Sequence, residues 1–449
     1  MTAETRSHRR PAARALEAPT WRRSLWPALI VALVLRLAFA VGYWRDKPLT
    51  HDEQEYLALG INLAAGRGFS PELPGVAEGP TVQRFSRAPL YPAAIAAVVW
   101  AGGLPTDRLP AAVPTLLKIV QSVAGMCGVW VVARLAARSA GRAAGTIAAW
   151  IAALYPPLVW ICAYALSEAL YSPVILASAL ALAGIGAERG DADGAAPDAD
   201  ATRSTMWRRA AVAGGLAGAS TLIRPSALAF VPLACAWLGW KRRPLLALVL
   251  AVFAVLPIAP WTIRNYRAHG RLILVAAEGG VTFWTGNHPD APGEGDLAAN
   301  PHLRVLQQAF RLRHPGLTEE ELEPLYYRDA VETMARRPLA WAALVVRKAA
   351  HVWLPTGPSY RLHSPLYYWT TLVSYLTVLP FAAAGLLRLR ARHASPVALL
   401  LLAGSVVALS LVFFPQERFR IPVLDPTYVV LASAWLADRR RGALAPEPA

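Results

Sequence analysis

The chain is written as long apolar runs separated by short polar ones. The first run, "LWPALIVALVLRLAFAVGYW" (25–44), gives way to a polar stretch, and apolar runs return at 88–103, 113–134, 143–162 and 168–187. A stretch at 210–240 is interrupted by "IRPS" (223–226), and runs at 244–260, 366–387, 396–414 and 423–437 complete the set. A bilayer core of about 30 Å needs roughly 20 residues of apolar helix to cross it, and most of these runs approach that length. The pattern predicts an all-α polytopic membrane protein with about ten transmembrane helices. The piece at 88–103 is expected to lie in the membrane interface or dip into it.

Basic residues give the runs a direction. Arg6, Arg9, Arg10, Arg14, Arg22 and Arg23 precede the first run. Further clusters follow at Arg134, Arg138 and Arg142, at "KRRP" (241–244), at "RLRARH" and at "DRRRG". Positively charged short loops stay in the cytoplasm, so both ends of the chain are expected inside. A cleaved signal peptide has a shorter core and a small-residue cleavage site. The first run has spanning length and ends in Tyr43-Trp44, an interfacial aromatic pair. The threading gives a basic tail (1–24), a transmembrane module (25–260) with a first outer loop (45–112), an outer segment (261–365), C-terminal helices (366–437) and a cytoplasmic tail (438–449). Residues 188–209, rich in Ala, Asp and Gly, are expected to form a flexible cytoplasmic linker.

Composition agrees with the pattern. Of 449 residues, 55% are hydrophobic and 16% charged, against roughly a quarter charged in a soluble domain. Mean hydropathy is +0.35. The net charge of +16 comes largely from arginines beside apolar runs, which speaks for membrane orientation and against a nucleic-acid partner. Cys127, Cys162 and Cys235 lie in or at the edge of apolar segments with no framework spacing, so they read as packing residues. No Walker A loop, no GxGxxG after a strand and no HExxH is present.

The threading brings "HDEQEY", "SRAPLYP", "YALSEALY", "PWTIRNY" and "PQERFRIP" to the outer face. "THDE" (50–53) fits a capping box, with Thr50 as cap and Glu53 three residues on. That accounts for Thr50 and Glu53 but requires neither Asp52 nor Glu55. Helical spacing puts Asp52 on one face with Tyr56. Glu168, after Ser167, is either a first-turn acid of a capped helix or a second carboxylate at the same cavity. Arg87, Arg224, Arg264, Arg347, Lys348, Arg418 and Arg420 supply cations at the same face. Interfacial arginines often only anchor or snorkel, yet a guanidinium fork also suits phosphate oxygens. Arg418 and Arg420 share a short turn with Glu417, closed by Pro415 and Pro422. Arginines and acids at one membrane face point to a lipid-linked phosphate substrate. Gly214 and Gly218 form a G-x-x-x-G spacing that marks close helix packing.

The acidic pair in "HDEQEY", then "LAAGRGF", "RAPLYP", "PWTIRNYRAHGRLILVAAEGGVTFWTGNHP" (260–289) and "ERFRIP" (417–422) resemble GT-C glycosyltransferases over about residues 25–437. The chain is most similar to the bacterial branch near protein O-mannosyltransferases and the lipid A aminoarabinose transferase. The resemblance implies an inner-membrane enzyme with its active site on the extracytoplasmic side. It implies inverting transfer of a sugar from a polyprenyl-phosphate carrier to an envelope glycan, lipid or protein. Catalysis would fall to Asp52, Glu53 and Glu168, with Asp52 as general base and Glu168 either orienting the acceptor or helping to hold the site. Arg87 would bind the carrier phosphate, with Arg418 and Arg420 beside it. That branch has an acidic metal ligand where this chain has Ser86, so no metal ligand and no cofactor are assigned, and a divalent metal is left open. The alternative is a flippase for polyprenyl-linked lipids without chemistry, which would need a continuous polar path across the membrane.

Overall fold

The computed structural model describes residues 19–72, 87–186, 199–362, 364–391 and 396–443, and every regular element among them is helical. Helix α1 (Trp26–Leu37) runs on as a π-helical turn, Ala38–Tyr43. It is followed by α2 (His51–Ala64), α3 (Leu90–Ala101), α4 (Ala112–Ala140), α5 (Arg142–Leu154), α6 (Glu168–Gly186), α7 (Ala199–Ile223), α8 (Phe230–Trp240) and α9 (Pro244–His269). The segment expected to lie outside, 261–365, holds α10 (Gly279–Asn287), α11 (Pro301–Leu312), α12 (Glu319–Arg336) and α13 (Pro338–Trp353). Helices α14 (Pro365–Ala391), α15 (Val397–Val412) and α16 (Leu424–Ala443) close the chain.

The chain is a multi-pass membrane protein. Among the described residues, five helices are long and apolar enough to cross a bilayer: Trp21–Tyr43, Ala112–Ala140, Glu168–Ile185, Pro244–Ala268 and Pro365–Arg390. A sixth span arises if α5 and the following Pro156–Ala163, bent by 65° to it, count as one. Leu90–Ala101, Pro225–Trp240 and Val397–Val412 are shorter apolar helices. The linker expected over 188–209 is shorter than that range, because α7 is already helical from Ala199. Its alanines and arginines are strong helix formers. Residues 187–198 lie outside the described residues.

Two devices position the bundle. Gly214 and Gly218 of α7 face α9 so closely that a Cβ at either would sit 2.2 Å from the carbonyl oxygen of Leu250 or Ala254. Only glycine permits that approach. The second device repairs the break after α5. Pro156 and Pro157 lack the N–H groups that the carbonyls of Ala152 and Ala153 need four residues on. Arg36 of α1, 1% exposed, supplies the missing donors, at 3.2 Å to Ala152 O and 3.5 Å to Ala153 O. Its positive charge also suits the negative end of the α5 dipole.

Helix α6 separates the two ends of the bundle. At its C-terminus Arg138, Arg209 and Arg243 donate to the carbonyls of Leu180, Gly184 and Ile185 at 2.8, 2.6 and 2.8 Å. Two of the arginines that set orientation in the sequence, Arg138 and Arg243, therefore cap one helix end together with Arg209. Glu168 starts α6 at the opposite end, where the remaining polar chemistry gathers.

Candidate active site

Helix α2 begins where the sequence places it. Thr50 accepts from the backbone N–H of Glu53, and the Glu53 carboxylate accepts from the Thr50 N–H at 2.8 Å, completing the capping box. The other oxygen of Glu53 accepts from Ala165 N–H at 2.8 Å. Glu53, 2% exposed, thus ties the start of α2 to the segment entering α6.

Spacings of three and four residues put Asp52, Glu55 and Tyr56 on one face of α2. Arg87, just before α3, meets all three. Its guanidinium donates to Asp52 at 2.8 Å and to Glu55 at 2.7 Å, and lies 5.1 Å from the Tyr56 ring centroid. A third carboxylate, Glu278 at the start of α10, pairs with Arg87 at 2.8 Å. Gly60 of α2 faces Ile95 of α3 so tightly that a Cβ would sit 2.4 Å from that side chain. That approach fixes α2 against the helix that follows Arg87.

Arg418 closes the site from the far end of the chain. It lies in a four-residue helical turn, Glu417–Arg420, between α15 and α16, and donates to Asp52 at 2.7 Å. Each oxygen of Asp52 is therefore held by a different arginine, Oδ1 by Arg87 and Oδ2 by Arg418. A quarter of the Asp52 side chain, 26%, stays accessible. Arg418 also approaches Glu168 at 3.8 Å, and Glu168 pairs with Arg224. Arg224 sits where Pro225 ends α7, with its guanidinium 4.6 Å from the Phe419 ring.

Electrostatics follow from this packing. Burial opposes charge on Asp52, but Arg418 and Arg87 outweigh it and hold the carboxyl well below the usual carboxylate range. Burial pushes the Glu278 carboxyl up against the pull of Arg87. The donor set does not fit a resident metal. Asp52, Glu55 and Glu278 converge on the Arg87 guanidinium, and among the described residues no group of three or more His, Cys, Asp or Glu is placed to hold an ion. Ser86 lies outside the described residues.

The structure brings Asp52, Arg87, Glu168 and Arg418 together and adds Arg224, Glu55 and Glu278. Glu53 stands one residue away, turned inward. Arg420 does not join them: 5% exposed, it pairs with Asp425 at 3.0 Å and stacks 4.2 Å from the Tyr375 ring. Residues two apart on a helical turn point in different directions, so Arg418 and Arg420 cannot both face Asp52. Glu278 was not singled out by sequence; its one signal is its position within the stretch 260–289.

No protein-family model matches the chain, and no curated protein sequence does. Solved structures do. An oligosaccharyltransferase from Archaeoglobus fulgidus tethered to an acceptor peptide with the NVT sequon aligns with a TM-score of 0.58 at 14% identity, covering 96% of this chain and 50% of that one. AglB from Archaeoglobus fulgidus, in complex with an inhibitory peptide and a dolichol-phosphate, aligns with a TM-score of 0.55 at 14% identity over 97% and 53%. ArnT from Cupriavidus metallidurans bound to undecaprenyl phosphate aligns with a TM-score of 0.42 at 15% identity over 95% and 79%. The chain spans about half the length of the archaeal oligosaccharyltransferase. At these identities the likeness shows the fold alone, a helical membrane architecture shared with the archaeal oligosaccharyltransferase.

Proposed function

We propose that this protein is an inverting glycosyltransferase that moves a sugar from a polyprenyl-phosphate carrier to an acceptor on the extracytoplasmic face of the plasma membrane. The observation that carries the reading is the clamp on Asp52, a partly accessible carboxylate held by Arg87 and Arg418 at one end of a GT-C bundle. The arginines capping α6 at its other end favour a cytoplasmic placement for that end. The complex of the archaeal relative with dolichol-phosphate supports a polyprenyl phosphate as donor.

The reaction divides among the residues as follows. The donor phosphate takes Arg87 and Arg418 from Asp52, exchanging one anion for another. Asp52, released from its clamp, accepts the proton of the acceptor hydroxyl. The acceptor oxygen bonds to C1 of the sugar as the C1–O bond to phosphate breaks. The electron pair stays on the phosphate oxygen, and polyprenyl phosphate leaves. Charge grows on that phosphate in the transition state, where the fixed guanidinium groups stabilise it most. A single displacement from the face opposite the leaving group inverts C1. Glu168, held by Arg224, orients the acceptor. Glu53 acts as a positioning residue through the helix start it builds. Arg420, internally paired, supports the turn that carries Arg418.

The test is deletion of the gene followed by mass spectrometry of envelope glycans and glycoproteins. Loss of one defined sugar, restored by the intact protein, is the expected result. An unchanged envelope glycome contradicts the reading.

A further inference from the structure

Arg418 is aimed at Asp52 from a distance. Its NH1 donates to Asp52, while its Nε donates to the side-chain oxygen of Gln416 at 3.0 Å. The Gln416 amide nitrogen in turn donates to Oδ2 of Asp296. Both ends of this chain admit one arrangement only. An ionised carboxylate accepts and cannot donate, and a guanidinium donates and cannot accept. Asp296 therefore fixes which way the Gln416 amide faces, and that amide fixes the plane of the Arg418 guanidinium.

Asp296 is itself immobilised. Its Oδ1 accepts from Ala298 N–H at 2.8 Å, and its backbone carbonyl accepts from the Asn300 N–H and side-chain amide at 2.9 and 2.8 Å. The same outer segment grips the chain just before the Arg418 turn. Asn287 donates to Val412 O at 2.9 Å, Lys348 donates to Leu411 O at 3.1 Å, and Gly286 lies where a Cβ would be 2.1 Å from the Phe413 carbonyl oxygen.

We propose that Asp296 and Gln416 are positioning residues for donor-phosphate binding, through which the outer segment sets the geometry of Arg418. The inference rests on the reading of Arg418 as a ligand of the carrier phosphate. It makes the outer segment part of the donor site, although it supplies the phosphate with no ligand through this chain. Asp296→Asn keeps the shape but removes the constraint, since an amide can donate or accept toward Gln416.

The test uses the full chain in phosphatidylcholine nanodiscs, titrated with undecaprenyl phosphate, with melting followed in parallel. Arg418→Ala is expected to weaken binding about tenfold or more, and Asp296→Asn about fivefold. Asp296→Glu, which restores an acceptor-only group, is expected to recover most of that loss. In the Arg418→Ala background, Asp296→Asn is expected to add nothing, because a positioning residue has then nothing to position. Binding by Asp296→Asn equal to wild type overturns the inference, as does a loss that adds in full to that of Arg418→Ala. Failure of Arg418→Ala itself to weaken binding overturns instead the donor-site reading beneath it.

Discussion

Asp52 and Arg418 stand 366 residues apart in the chain and 2.7 Å apart in space. The first lies in the opening turn of α2 and the second in the turn before the last helix, so the pair forms only when the whole bundle has closed. With Arg87 it leaves the carboxylate charged and occupied. Under the proposed function a base in that state is restrained until an anion draws the arginines away. The carrier phosphate would be that anion, so arrival of the donor and release of the base would be one event.

Glu53 is separable from Asp52 by stability. Glu53→Ala removes the capping box and leaves Ala165 N–H without its acceptor. A lost cap costs about 1 kcal/mol and an orphaned buried donor about 1–3 kcal/mol. The variant is expected to melt several degrees lower in detergent and to lose transfer in proportion to displacement of α2. Unchanged melting contradicts the structural role.

Arg36 gives a second stability test. Arg36→Met leaves the carbonyls of Ala152 and Ala153 facing prolines with no donor. Each unsatisfied group costs about 1–3 kcal/mol, so a loss of about 2–6 kcal/mol is expected for the two carbonyls, with Arg36→Lys intermediate. Thermal unfolding of the purified protein measures it.

Glu294 sets a pH dependence. Burial pushes its carboxyl up to about 7, against the pull of its bond from Ser359 N–H at 3.0 Å. An unfolded Glu titrates near 4.3. Between those values the folded state holds a proton that the unfolded state has lost, so this group lowers stability as pH rises through the window. Glu294→Gln keeps an acceptor for Ser359 and removes the titration. Its melting temperature is expected to gain on wild type as pH rises from about 5 to 8. A constant difference across that range contradicts the assignment.

Much of this fold was legible because membranes impose simple rules. Apolar length marked the long spans, arginines marked their ends, and the Thr50–Glu53 spacing marked a helix start that the structure forms. Gly214 and Gly218 were readable because close backbone approach admits little else. Asp52, Glu168, Arg87 and Arg418 were singled out in the sequence, and the structure brings them into one cluster. It was not legible in Glu278 and Asp296, single acids in irregular segments whose importance comes from tertiary placement. Arg418 and Arg420 were indistinguishable as sequence, because the helical turn that sends them apart is four residues long. Arg36 was hidden inside an apolar run, and its partners are carbonyls that carry no sequence signal except the two prolines after them.

The most direct test is transfer by Asp52→Asn. The carboxamide keeps the size of the side chain but cannot take a proton at neutral pH. Sugar transfer from a polyprenyl-phosphate donor is measured in a single turnover, with donor binding read separately in the same nanodiscs. Asp52→Asn is expected to lower transfer by about 10²–10⁴-fold. Donor binding should be undiminished or tighter, since the anion that competes for Arg87 and Arg418 is gone. Transfer at the wild-type rate by the folded variant contradicts the account.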